Sequence, residues 1–230
     1  MLLLFTLALM SGCTSSTPTL ELQDLMKTYH EETLKMNPVG ATYQGDSRYN
    51  DYLPNYLSDA VINKHKAFYS DILQQLNTID EKSLSEEDRL SKEILKWECE
   101  TSLMGMEFPS ELLPIDQMWT LQLTIGQLAT GTGAQPFKTV EDYENWRSRV
   151  DDYVVWLSSA KARMEEGIER GIVLPKSLIR KIVPQLASIT EADLEKNIFY
   201  TPARNFPEDF TEAQKKSFLK LIPVWSPIKS

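Results

Sequence analysis

The chain has 230 residues, of which 42% are hydrophobic and 25% are charged, and this is ordinary for a globular protein of one domain or two small ones. Its 33 acidic and 24 basic residues give a net charge of -9. This charge argues against a nucleic-acid partner and against binding of the folded body to anionic lipid, because both need a surface rich in Lys and Arg.

The N-terminus has the pattern of a lipoprotein export signal. Residues 1–10 form an uncharged apolar run that is too short to span a bilayer but fits the hydrophobic region of a signal peptide. Cys13 follows Ser11 and Gly12, as in a bacterial lipobox, where the thiol receives a diacylglycerol. We therefore expect a signal peptide over 1–12, a lipidated tether over 13–18 and a helical domain over 19–230. The alternative is an apolar N-terminus with a chance cysteine, since no basic residue opens the segment.

A lipid anchor predicts where the protein is located. Cys13 would attach it to a membrane of the cell envelope, on the periplasmic face of the outer membrane if the organism is Gram-negative. With Cys13 modified, Cys99 is the one remaining cysteine, so we expect no intramolecular disulfide. No histidine lies within thirty residues of Cys99, and we interpret it as a small residue within a helix.

The first half of the chain predicts three helices. Apolar spacings of three and four residues indicate helices over about 20–36, capped by Thr19, and over 58–79, with residues 38–57 as a loop between them. Ser85 opens a capping box and a third helix, which has an apolar stripe on one face: Leu90, Ile94, Trp97 and Met104. Residues 105–138 are mixed, with a short apolar stretch at 121–128 and a flexible loop at 131–133.

The longest predicted helix begins at the capping box of Thr139 and Asp142. Its apolar positions recur every three or four residues over roughly 40–45 Å, and Gly167 and Gly171 stand where it should end. They are Tyr143, Trp146, Val150, Tyr153, Leu157, Ala160, Met164 and Ile168. An apolar face of this length needs partner helices to bury it. This predicts an all-α fold, arranged as an antiparallel helical stack with long loops.

Two helices are predicted after the longest one. One starts at Pro175 and contains Pro184, which should kink it. The last is capped by Thr211 and should stop at Ile222 and Pro223.

Motifs for catalysis are missing from the sequence. His30 begins a segment similar to a zinc-peptidase helix, but the second histidine four residues later is absent. His65 lies in the apolar stripe of the second helix and is predicted to be a core or boundary residue. There is no Gly-x-Ser-x-Gly elbow and no phosphate loop, so we assign no catalytic residue and no metal ligand.

The densest polar and aromatic cluster lies at 40–54. Asp46, Arg48 and Asp51 can bond one another and nearby backbone amides. The order of acidic residues does not match a calcium loop. Two interpretations stay open: an arginine–carboxylate pair that locks the loop onto the helices, or one wall of a ligand cleft.

The same cluster carries a resemblance to a known family. Its residues Ala41-Thr42, Gly45-Asp46, Arg48 to Asp51 and Leu53-Pro54 resemble the opening motif of a bacterial family, domain of unknown function 885. Segments 113–117, 135–149, 164–185 and 199–207 resemble that family in the same order, so the likeness covers about 20–221. Members are often exported lipoproteins, which agrees with Cys13.

The resemblance implies a largely helical, zinc-peptidase-like protein more than twice as long, with a His-Glu-x-x-Pro-Gly-His signature in its C-terminal half. The present sequence ends before such a stretch. We therefore expect the N-terminal half of a larger peptidase-like fold, from a truncated, frameshifted or split gene. No cofactor is expected in this chain, and zinc is expected only in the missing half. Helices built to pack on that half should leave an apolar patch exposed.

Three functions follow from these expectations and stay open. The first is a catalytically incomplete part of a zinc-peptidase-like lipoprotein that is inactive alone. The second is a scaffold lipoprotein that binds a peptide or a partner. The third is a fragment completed by a separately encoded C-terminal half. Whether the chain is itself an enzyme is undecided at this point.

Overall fold

The computed structural model describes residues 18–118, 120–189 and 196–219, and within them the chain is all-α, as predicted. Four short 3-10 turns accompany the helices, at Ser47–Tyr49, Glu81–Ser83, Ser110–Leu112 and Ile198–Tyr200. The helices of this part of the chain are α1 (Pro18–Met36), α2 (Pro38–Tyr43), α3 (Asp59–Thr78), α4 (Glu86–Gly105), α5 (Leu121–Leu128), α6 (Val140–Glu169), α7 (Lys176–Ile189), α8 (Thr201–Arg204) and α9 (Glu212–Leu219).

Side-chain caps fix most of the predicted helix starts. The hydroxyl oxygens of Ser58, Ser85 and Thr139 each accept a backbone N–H from the first turn of α3, α4 and α6. The capping box of α6 is complete, because the Asp142 carboxylate accepts the N–H of Thr139 at 2.9 Å. Thr211 caps α9 in the same way, by accepting the N–H of Gln214.

The prediction of a plain loop over 38–57 was wrong. Asn37 caps α2 by accepting the N–H of Gly40 at 2.9 Å, and Pro38 takes the first helical position, where no donor is needed. A 3-10 turn follows at Ser47–Tyr49. Thr19 was also misassigned as a cap, because it lies within α1, where its hydroxyl donates to Asp88.

The first hydrophobic core lies between α1, α3 and α4. Two hydrogen bonds join α1 to α4, from Thr19 to Asp88 and from Tyr29 to Glu98, and both span 69 positions, so these helices run parallel. Helix α3 runs antiparallel to α4, because the carbonyl of Ile79, just after α3, accepts Lys92 near the start of α4. The buried members of this core include Leu22, Leu25, Ile72, Leu76, Leu95 and Cys99.

The second core surrounds α6. Trp146 and Trp156 are fully buried, and the Tyr143 hydroxyl donates to the carbonyl of Pro202 at 3.0 Å. Helix α5, the segment before it and the elements after α6 close over this face. They contribute Ile115, Ile125, Leu128, Ile182, Phe199, Phe210 and Phe218.

The predicted face of α6 is correct in its centre and wrong at its end. Ile168 is 68% exposed, whereas Arg149 and Trp156, which the apolar spacing did not select, are fully buried. Gly171 follows the helix end with φ of 72°, as a stop residue should. Gly167 has another role: a Cβ there would lie 3.1 Å from the carbonyl oxygen of Leu112, so glycine lets the 110–112 turn approach α6.

Three predictions concern residues outside the described part. They are the signal peptide over 1–12, Cys13 with its tether up to residue 17, and the stop at Ile222 and Pro223. Within 18–118, 120–189 and 196–219, no helix combines the length and the apolar character needed to cross a bilayer.

Two valines on α6 test where the core lies. Val150 is 2% exposed and Val155 is 55% exposed. Removing two buried methyl groups with Val150→Ala should lower the free energy of unfolding by about 2 kcal/mol. Val155→Ala is the matched control and should change it by less than about 0.5 kcal/mol. Urea unfolding measures both values, and equal losses would contradict this placement of the core.

Candidate functional site

Arg149 attaches the segment after α2 to α6. Its guanidinium donates to the carbonyl oxygens of Tyr49 and Tyr52, the latter at 3.3 Å. It also donates to the Thr42 hydroxyl at 3.0 Å and to the Gln135 amide oxygen at 2.7 Å. One side chain of α6 therefore fixes α2, the 3-10 turn and the loop before α6.

The contact continues along α6 for several turns. Asp152 accepts the N–H of Leu53 at 2.9 Å, and the Asn55 amide donates to the Ser159 hydroxyl at 2.8 Å. Arg163 donates to the carbonyl of Leu57 at 3.0 Å and pairs with Asp59 at the start of α3. The segment 49–59 thus lies along α6 in the same direction, and we call this row of contacts the α6 seam.

The seam includes a buried charge whose direct acceptors are neutral. Burial lowers the pKa of Arg149 to about 10, and the carboxylates of Asp51 and Asp152 oppose this shift. Burial likewise raises the pKa of Asp152, while the N–H of Leu53 lowers it. Because a buried charge is tolerated only when it is well hydrogen-bonded, the four bonds of Arg149 must form together.

Asp46 and Arg48, two of the three polar residues selected from the sequence, form an ion pair on the surface. Asp46 accepts the N–H of Arg48 at 3.0 Å, and the guanidinium of Arg48 pairs with Asp46 at 2.6 Å and with Glu31 of α1 at 2.8 Å. Hydrogen bonding to Arg48 lowers the pKa of both carboxyls. This arrangement ties the 3-10 turn to α1.

Asp51, the third selected residue, is placed elsewhere. Arg48 makes its ion pairs with Asp46 and Glu31, and the exposed Asp51 contributes instead to the electrostatic environment of Arg149 and Asp152. None of the three selected residues lines either of two clefts beside the seam.

Those two clefts adjoin each other and have volumes of about 430 and 420 Å³. They share four lining residues, Tyr56, His65, Thr120 and Leu121. One wall is the seam segment with Leu53 and Pro54, and the opposite walls are α3 and the start of α5. We call the two together the α3–α5 cleft. The α6 seam sets the position of one of its walls.

The two ends of the cleft differ in charge. Among the residues that the structure describes, the end beside α2 carries no carboxylate, whereas the other end carries Glu111 and Asp116. No described Lys or Arg lines either end. Burial, together with Lys64, lowers the pKa of His65, so His65 resists protonation. A ligand with apolar groups and a positive charge suits this cleft.

A zinc site does not fit the described residues. The two histidines of the chain, His30 and His65, border a common pocket of about 310 Å³ together with Asn37 and Gln44. A catalytic zinc needs three protein ligands. Across 18–118, 120–189 and 196–219, no three His, Cys, Asp or Glu side chains are grouped in a way that could hold a metal.

Fold and site together define an all-helical protein in which a polar seam supports an open cleft. Residues 38–222 match the model of a family described as bacterial protein of unknown function (DUF885). The match covers most of the chain, so the chain belongs to this family, as its motifs predicted. No curated protein sequence matches the chain.

Replacing Arg149 should show how much the seam contributes to stability. Arg149→Leu leaves the carbonyls of Tyr49 and Tyr52 without their donor, and we expect a loss of about 3 kcal/mol in the free energy of unfolding. Arg149→Lys should recover little of it, because an ammonium lacks the planar fork. The control Arg48→Leu should cost far less, since the Arg48 side chain is itself 52% exposed. Chemical denaturation measures these free energies of unfolding. An Arg149→Leu chain that is as stable as the wild type would contradict the role of the seam.

Proposed function

We propose that this chain is the N-terminal helical part of an exported lipoprotein that resembles zinc-dependent peptidases, and that Cys13 anchors it to the cell envelope. The observation that carries the proposal is the family match over 38–222. In this proposal the present residues shape a helical body and bind no catalytic zinc, so the chain is inactive alone. This view is supported by the placement of the two histidines, since no group of three metal ligands forms among the described residues.

A second candidate function is favoured by the α3–α5 cleft: a scaffold that binds peptide. The cleft is open and has apolar walls, and its carboxylates are confined to one end. An extended peptide could place apolar side chains beside Leu121 and a basic group beside Glu111. This function needs no metal and is compatible with the lipid anchor.

Lipid labelling tests the anchor. In a bacterium that processes lipoproteins, the full chain should incorporate an alkyne-tagged palmitate and sediment with membranes. Cys13→Ala should lose both properties. Cys99→Ala is the matched control and should keep both, because Cys99 is buried in the first core. Labelling that persists in Cys13→Ala would refute the anchor.

Zinc content tests the first candidate function, and peptide binding tests the second. After dialysis against zinc, the purified full chain should hold far less than one zinc per molecule by elemental analysis and should hydrolyse no peptide. If the cleft binds peptide, a fluorescent library of basic and apolar peptides should contain saturable ligands. His65→Ala should then weaken binding by about tenfold, or about 1.4 kcal/mol.

His30→Ala is the matched control for the cleft, since His30 lines neither of its two parts. Equal effects of the two histidine variants would refute peptide binding in the cleft. Stoichiometric zinc with peptide hydrolysis would refute the proposal of an inactive chain.

A further inference from the structure

The outer face of α4 carries an exposed apolar stripe. Opposite it, Leu95 and Cys99 are buried against α1 and α3, so the stripe points away from the first core. Monomeric proteins rarely expose a contiguous apolar face of this length. Its members are each 50–65% exposed, and we call them the α4 stripe: Leu90, Ile94, Trp97, Met104 and, just after the helix, Phe108.

Carboxylates flank the α4 stripe. Glu93 lies three residues after Leu90, and Glu100 lies three residues after Trp97, so each is a neighbour of the stripe on the helix surface. Glu87 and Glu98 lie on its other side, and all four are exposed. A surface that covers the stripe therefore needs apolar side chains with cations beside them.

Helix α7 of this chain has that chemistry. Its residues include Lys176, Arg180 and Lys181 and no acidic residue. Ile179 and Val183 are 43% and 58% exposed on its outer side, while Ile182 is buried in the second core. Lys176 and Arg180 are exposed and lie three residues before Ile179 and Val183, respectively, so cations stand beside each apolar residue.

Within one molecule these two faces do not cover each other. Helix α4 packs on α1 and α3, α7 packs on α5 and the second core, and both outer faces stay exposed. They can meet only between molecules. We propose that the α4 stripe of one copy docks on the outer face of α7 in a second copy. Apolar burial stabilises the contact, and the opposite charges decide which faces pair.

Each copy carries one face of each kind, so this contact is heterologous: the α4 stripe of one copy meets the outer face of α7 in the next. The net charge of -9 opposes association in general, so the attraction must come from the local charges of the two helices. The contact should accordingly weaken as salt rises.

Charge reversal tests the proposal on the full chain carrying Cys13→Ser, which removes any lipid. Analytical ultracentrifugation should show self-association that depends on concentration. Reversing α4 with Glu93→Lys and Glu100→Lys should weaken it at least about tenfold, and so should reversing α7 with Lys176→Glu and Arg180→Glu. Mixing the two reversed chains should restore association, because both contacts between unlike chains are again complementary.

The matched control exchanges an exposed pair on α6, with Lys161→Glu and Glu165→Lys, and should leave association unchanged. Circular dichroism and thermal melting should show that every variant stays folded, and the rescue by mixing distinguishes lost contact from lost fold. A wild-type chain that stays monomeric at all concentrations would overturn the proposal. So would association that neither charge reversal affects, since another surface, such as the apolar N-terminus, would then be responsible.

Discussion

The hydrogen bonds of Arg149 are the interaction on which the rest of the fold depends. The first core is built by α1, α3 and α4, and the second by α5, α6 and the helices after α6. The segment 49–59 connects them, and α6 holds that segment at its backbone, with Arg149 at one end and Arg163 at the other. Because the connection is fixed residue by residue, the two cores take one relative position.

The width of the α3–α5 cleft depends on the same contacts between α6 and the segment 49–59. Leu53, Pro54 and Tyr56 form one of its walls, and each belongs to the segment that the α6 seam positions. The opposite walls belong to α3 and α5, which lie in different cores. A shift of the seam would therefore change the width of the cleft, although no seam side chain of α6 lines it. Buried polar groups with several fixed partners hold the seam in one position, because any other arrangement leaves their hydrogen bonds unsatisfied.

Local signals in the sequence predicted the helices well. They could not predict contacts between residues that lie far apart in the sequence. Ser58, Ser85 and Thr139 were recognisable as caps because a cap and the backbone N–H that it accepts lie within one turn. Spacing of apolar residues could not reveal Arg149, whose partners lie about 100 positions away. The same limit applies to His65 and Tyr56, which border the cleft only after α3 and the seam are placed. The ion pair of Asp46 with Arg48 joins residues two positions apart, a separation that sequence reasoning can reach.

The orientation of α4 shows why an apolar stripe does not by itself predict a core. Lys92 is buried on the opposite side, where its ammonium donates to the Ile79 carbonyl at 3.0 Å and pairs with Glu81 at 2.8 Å. These contacts close the turn between α3 and α4 and fix the rotation of α4, with Leu95 and Cys99 filling the core. Turning the stripe inward would break them. The larger apolar residues of α4 therefore stay outside, where only another surface can bury them.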